Sequence, residues 1–152
     1  NKSRFSKRSF RSGENMNNYE SQGAAANRSG KEFENHIASL LDSLDIAYDT
    51  QVPYKNLYGS DRARMDFYIP SKHLYIECKN QNVSGSVDEK IPFCIENLLG
   101  QVGEGNSMLV LGGAHFATQR GQDVYSWANK RVENTSCSVV LEDEFVVSIQ
   151  NL

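Results

Sequence analysis

Cysteine is scarce: only Cys78, Cys94 and Cys137, far apart and without CxxC spacing. A sparse, odd set excludes a disulfide framework or a zinc knuckle and suits reduced thiols in a reducing, cytoplasmic compartment. Long apolar runs are missing too, and nothing approaches the ~20 residues that a membrane-spanning helix needs. The start, residues 1–11, is basic and serine-rich with no apolar stretch behind it, which is not the pattern of a secretory signal. No internal repeat and no heptad pattern is present, so solenoids and coiled coils drop out. Gly112-Gly113 lacks the spacing of a dinucleotide or P-loop motif, and His36, His73 and His115 have no metal-like spacing. A length of 152 residues then suits one domain.

Charge is present but unevenly spread. Residues 1–31 hold seven basic residues against two acids, a balance of +5, whereas the remainder holds nine against seventeen, a balance of −8. Residues 12–29 are dominated by Ser, Gly, Asn and Ala. A basic, core-poor segment on an acidic body is expected to be a flexible arm, residues 1–28, that finds a polyanion; the plainer alternative is a solvated tail. The compact domain is expected over residues 29–152.

Along that body the hydrophobic spacing predicts a run of elements. Ser29 and Glu32 match a capping box, and Phe33, Ile37, Leu40, Leu41 and Leu44 form an apolar helical stripe with Glu34 at its edge. Strands are expected over 46–52, ended by Pro53, over 65–69, and over 73–79 after a Pro70-Ser71-Lys72 turn tight enough to pair the last two antiparallel. A helix follows over 86–99, where Pro92 is expected to disturb or delay the regular part. A buried strand over 107–111, a helix over 122–131, and strands over 138–141 and 145–149 complete the chain. The order α-β-β-β-α-β-α-β predicts a mixed central sheet flanked by helices, an α/β fold.

On the third strand Glu77 and Lys79, two apart, share a face, and Asp66 lies on the neighbouring strand. Two carboxylates meeting at a sheet edge, with the Cys78 carbonyl between acid and lysine, offer hard oxygen ligands of the kind Mg²⁺ takes. Such a cation polarises a phosphoryl oxygen and lowers the pKa of water, and a neighbouring lysine can position that water or stabilise charge on phosphorus. An acid-x-Lys pair alone is equally a surface salt bridge. The upstream aspartate and the helix carrying Glu34 sharpen the signal. Arg62 and Arg64, in the loop before the second strand, and Gln81, continuing the face of Glu77 and Lys79, are candidate substrate contacts. So is Ser84, in a Ser84-Gly85-Ser86 stretch whose amides can meet a phosphate at a helix start.

The arrangement Glu34 … Asp66 … Glu77-Cys78-Lys79 resembles the PD-(D/E)XK nuclease superfamily, over roughly residues 29–130. The resemblance implies a restriction endonuclease-like core, metal binding by Asp66 and Glu77, catalysis involving Lys79, and a site completed by Glu34. Met65 stands where the family name has proline. Further, the resemblance implies a Mg²⁺-dependent endonuclease, with Mn²⁺ able to substitute, that hydrolyses DNA phosphodiester bonds in a microbial or phage-infected cell. Restriction-like or homing-type cleavage comes first, with Holliday-junction resolution or repair as alternatives. A non-catalytic nucleic-acid-binding or assembly protein on the same fold is the remaining alternative. Double-stranded or branched DNA is the expected partner, and cutting both strands makes a homodimer plausible.

Overall fold

The computed structural model describes residues 28–83, 85–100 and 105–152, together with the backbone of Gln101. The expected arm, but for Arg28, and the candidate contact Ser84 fall outside the described residues.

Helix α1 spans Gly30–Ser43 and begins where the capping box placed it. The Ser29 hydroxyl accepts from the Glu32 amide at 3.1 Å, and the Glu32 carboxylate accepts from the Ser29 amide at 2.8 Å. Strands β1 (Asp49–Tyr54), β2 (Ala63–Ile69) and β3 (Leu74–Asn80) follow, then α2 (Val87–Gln101), β4 (Asn106–Gly112), α3 (Gln119–Arg131), β5 (Cys137–Leu141) and α4 (Phe145–Gln150). The strands lie in sequence order across one sheet. The pairs β1–β2 and β2–β3 are antiparallel, and β3–β4 and β4–β5 parallel, with the intervening helices serving as the crossovers that parallel pairs require.

Each face of the sheet buries its own core. Leu74, Ile76, Cys78, Met108 and Val110 meet Phe33, Ile37 and Leu41 of α1 and Phe145 and Ile149 of α4. On the other face Leu109, Leu111 and Val139 meet Ile91, Ile95 and Leu98 of α2 and Ala128 of α3. Coverage on both faces explains why β4 reads as a continuous apolar run.

Three expectations are corrected. Residues 145–149 form α4, not a strand. Phe145 and Ile149, four apart, are both fully buried, and a short apolar run fits either period until packing decides. Pro53 does not end β1 but lies inside it, opposite Arg64, while residues 46–48 precede the strand. β1 is an edge strand, where a missing amide leaves no ladder bond unmade. Pro92 is likewise absorbed, in the second turn of a helix that runs continuously from Val87.

One irregularity in the hairpin positions the site. Met65 packs on the α2 face, whereas Phe67 and Ile69 pack on the α1 face, although residues two apart in a strand ordinarily share a face. The strand therefore rolls over at Asp66. Facing that point, Gln51 has φ 51°, a left-handed conformation that a non-glycine residue rarely adopts in a strand; the flanking pairs are Thr50 with Phe67 and Val52 with Met65.

Candidate active site

The β2–β3 ladder ends at the Phe67–Ile76 pair. Beyond it the two strands part, and the Asp66 carboxylate fills the gap by accepting the Cys78 amide at 2.8 Å. In a strand the amide and carbonyl of one residue leave by the same edge, so the Cys78 carbonyl also opens toward Asp66. Strand β3 presents Glu77 and Lys79 on the face opposite Cys78, and Lys79 Nζ stands 3.4 Å from Glu77 Oε2. Glu77 Oε1 is buried and has no hydrogen-bond partner.

Electrostatics set this spot apart. Burial, together with the charge of Glu77 and of Glu34, pushes the Asp66 carboxyl up to about 8, against the lowering effect of the Cys78 amide. Burial also raises Glu77, with Lys79 acting against it. Burial alone depresses Lys79, but the charge and hydrogen bond of Glu77, together with Cys94 and Asp66, outweigh it and the ammonium form is favoured. Partly buried carboxylates of like charge repel one another, and a cation placed between them relieves both that repulsion and the unmet need of Glu77 Oε1.

Asp66 Oδ1, Glu77 Oε1 and the Cys78 carbonyl are hard oxygen donors, and two carboxylates with a carbonyl leave room for the waters that Mg²⁺ keeps. The donor set fits such a cation. Among the described residues no three His, Cys, Asp or Glu side chains form a ready-made metal cluster, so a site here depends on the carbonyl and water for its remaining ligands. Glu34 is half-buried on α1; its Oε1 accepts from Gln51 Nε2 at the long distance of 3.5 Å.

The other candidates fare differently. Gln81 is held by its backbone, donating to Gly112 and accepting from His115, while its side-chain amide donates to the Val83 carbonyl. Arg62 and Arg64 are exposed, and Arg64 Nη1 donates to the carbonyls of Asp61 and Ala63. His115 is buried against Asp88 at 2.9 Å, a tie between elements rather than a substrate contact.

Glu77 and Lys79 open into a cleft of about 160 Å³ whose walls include Tyr54, Met65, Lys90 and Phe93. A larger hollow of about 610 Å³, bordered by His36, Phe116 and Glu142, contains none of the acid and lysine residues discussed above. Glu77 and Lys79 thus line the smaller cleft and not the larger hollow. Gln51, Lys90 and Phe93 were not legible as neighbours of the site, because only the roll of the hairpin and the placement of α2 bring them there.

The model of the PD-(D/E)XK nuclease superfamily domain matches residues 17–142, most of the chain, with the acid-x-Lys strand inside the match. The chain belongs to the PD-(D/E)XK nuclease superfamily. No curated protein and no solved structure matches. Among the described residues, the five-stranded mixed sheet flanked by four helices is consistent with the restriction endonuclease-like fold of that superfamily. Nucleases of the superfamily generally use divalent metals and act on nucleic acid. Among the described residues no helix is long and apolar enough to cross a membrane.

Proposed function

We propose that this PD-(D/E)XK protein is a divalent-cation-dependent endonuclease that hydrolyses DNA phosphodiester bonds, with Mg²⁺ as the resident ion and Mn²⁺ able to replace it. The observation that carries the reading is the buried, unpartnered Glu77 Oε1 beside Asp66, at the point where β2 and β3 separate. Buried acceptors are rarely left unmatched, and a bound cation is one of the few reasons to keep one.

Asp66, Glu77 and the Cys78 carbonyl would hold the ion. When bound, it supplies Lewis-acid polarisation of the phosphoryl group and a more acidic water. The Cys78 amide holds one oxygen of the Asp66 carboxylate, leaving the other for the ion. Lys79, 3.4 Å from Glu77, sets a positive charge at the cleft wall, where it stabilises the added negative charge on the phosphorus substituents. In the reaction a water gives up a proton as its oxygen joins phosphorus, one P–O ester bond breaks, and the departing alkoxide takes up a proton. Glu34 borders the carboxylates and is placed to hold the attacking water, either directly or through Gln51. The basic residues of 1–28 would add phosphate contacts to a body that is acidic in balance.

The test is cleavage of supercoiled plasmid, linear duplex, single-stranded and branched DNA, with and without Mg²⁺. Native protein should cut only with the ion, and Asp66→Ala and Lys79→Ala should each remove the activity while leaving the fold intact. Undiminished cleavage by either variant would overturn the assignment.

A further inference from the structure

The loop joining β1 and β2 carries an aromatic ring that buries almost nothing. Tyr58 is 83% exposed, more than any other large apolar side chain among the described residues. Its ring stacks on Phe93 of α2 with centroids 5.5 Å apart and planes 24° from parallel. Phe93 is itself 41% exposed and walls the cleft that holds Glu77 and Lys79. One face of the tyrosine is thus backed by a second ring at the mouth of the cleft, and its other face has solvent for a neighbour.

The loop beneath the ring is not slack. The Leu57 amide donates at 2.9 Å to Oδ1 of Asn97, a residue of α2 that is only 3% exposed. Asn56 Oδ1 accepts from the amides of Tyr58 and Ser60, at 2.9 and 3.0 Å, and Gly59 with φ 83° closes the turn. Two polar anchors therefore hold an apolar ring out into water. Holding it there gives the fold little, because an exposed ring contributes little burial energy. Preorganisation does serve a ligand, since ordering the ring costs nothing more on binding.

The surroundings favour a polyanion. Arg62 and Arg64 stand on the same hairpin, Lys90 lines the cleft one turn before Phe93, and Lys55 lies 3.7 Å from Asp61 in an exposed pair. Flat aromatic surface interleaved with cations is the combination that holds unpaired nucleotides: the π-faces stack on the ring and the phosphates meet the charges.

We propose that Tyr58, backed by Phe93, is a stacking platform for an unpaired nucleobase, which makes single-stranded or locally unpaired DNA the substrate class of this cleft. The proposal rests on the nuclease reading above for the identity of the polymer, and it names the form in which that polymer enters. A base within an intact duplex has both faces occupied and cannot use the platform without leaving the stack.

The experiment uses the whole chain without metal and an oligonucleotide carrying 2-aminopurine, whose fluorescence is quenched by stacking. Native protein should quench the single strand. Tyr58→Ala should abolish the quench and weaken single-strand binding about tenfold, as loss of one base–aromatic stack does, and Tyr58→Phe should keep both. Duplex affinity should be nearly unchanged in both variants, and so should the melting temperature, since the ring is exposed. Single-strand affinity unaffected by Tyr58→Ala, or affinity for both DNA forms lost to the same degree, overturns the platform. Cleavage with Mg²⁺ separates the two readings. Quenching without cleavage of any DNA sinks the nuclease and leaves the platform; cleavage without a Tyr58-dependent quench does the reverse.

Discussion

At the scale of single residues, Asp66 concentrates the tension in the molecule. It is 8% exposed, yet it sits beside two other carboxylates and is held in place by one backbone amide. Because burial and Glu77 raise its folded-state pKa from 3.8 to about 8, the fold favours its neutral form. The resulting contribution to stability is complete below pH 3.8, declines as pH rises, and is gone once pH passes about 8. Metal-free protein should therefore lose melting temperature between pH 5 and 8 by an amount that Asp66→Asn removes, as read by thermal melting in EDTA. The asparagine still accepts the Cys78 amide, so the variant tests charge and not shape. Mg²⁺ should raise the melting temperature of native protein at pH 8 and leave Asp66→Asn unmoved, because only the charged form gains from the ion.

Asp88 shows the opposite sign. Burial pushes its carboxyl up, but hydrogen bonds from Arg120 and His115, at 2.8 and 2.9 Å, hold it below the usual range. Its stabilisation is present above pH 3.8 and is lost as pH falls below that value. Asp88→Ala should cost about 2 kcal/mol at pH 7, the usual scale for charge-assisted bonds, and the gap to native protein should narrow in acid. Chemical denaturation at pH 7 and pH 3 measures both.

At the scale of elements, what could be read in advance is what is encoded locally. The capping box of α1 and the alternation of β2 and β3 are short-range patterns, and all three elements are present where those patterns stand. The tight Pro70–Lys72 turn made the pairing of β2 with β3 readable, and with it the approach of Asp66 to the end of β3. The roll of β2 at Asp66 was not readable, because it depends on Met65 and Phe67 choosing opposite cores. Nor was α4, whose Phe-Val-Val-Ser-Ile run suits a strand until Phe145 and Ile149 are seen to pack beneath α1. The platform ring escaped notice for the same reason: nothing near Tyr58 in sequence announces Phe93, 35 positions on.

The end of β3 carries an elemental constraint of its own. Gly113, with φ 102°, lies so close to the Gln81 backbone that a Cβ would collide with it, while the Gln81 amide donates to Gly112 at 3.0 Å. Gly113→Ala combines a forbidden conformation with a backbone clash next to Lys79, and should destabilise by about 3 kcal/mol or more. A denaturant titration reads the loss. A variant as stable as native protein would mean that this strand end is not fixed by the glycine.

At the scale of the whole molecule, charge is divided between two tasks. The acidic body can concentrate carboxylates for a cation, and under the proposed function the phosphate contacts fall to the basic residues near the start of the sequence. Arg28 marks the junction. Its guanidinium pairs with Glu142 at 2.8 Å and donates to Asn80 Oδ1 at 2.9 Å, and its carbonyl accepts from the side chains of Asn80 and Asn82. Removing residues 1–27 keeps this clamp and should leave the melting temperature unchanged. DNA affinity should fall, and its dependence on salt should become shallower by about 0.9 per lost phosphate contact on a log–log plot. Equal slopes for the full and shortened chains would assign no phosphate contact to the arm.

The most direct measurement is anomalous diffraction from a crystal of the full chain equilibrated with Mn²⁺. The expected result is a peak within ligand distance of Asp66, Glu77 and the Cys78 carbonyl, with Lys79 alongside. No peak there, or Asp66 and Glu77 turned away from one another with manganese bound elsewhere, would contradict the assignment of this strand fork as the active site.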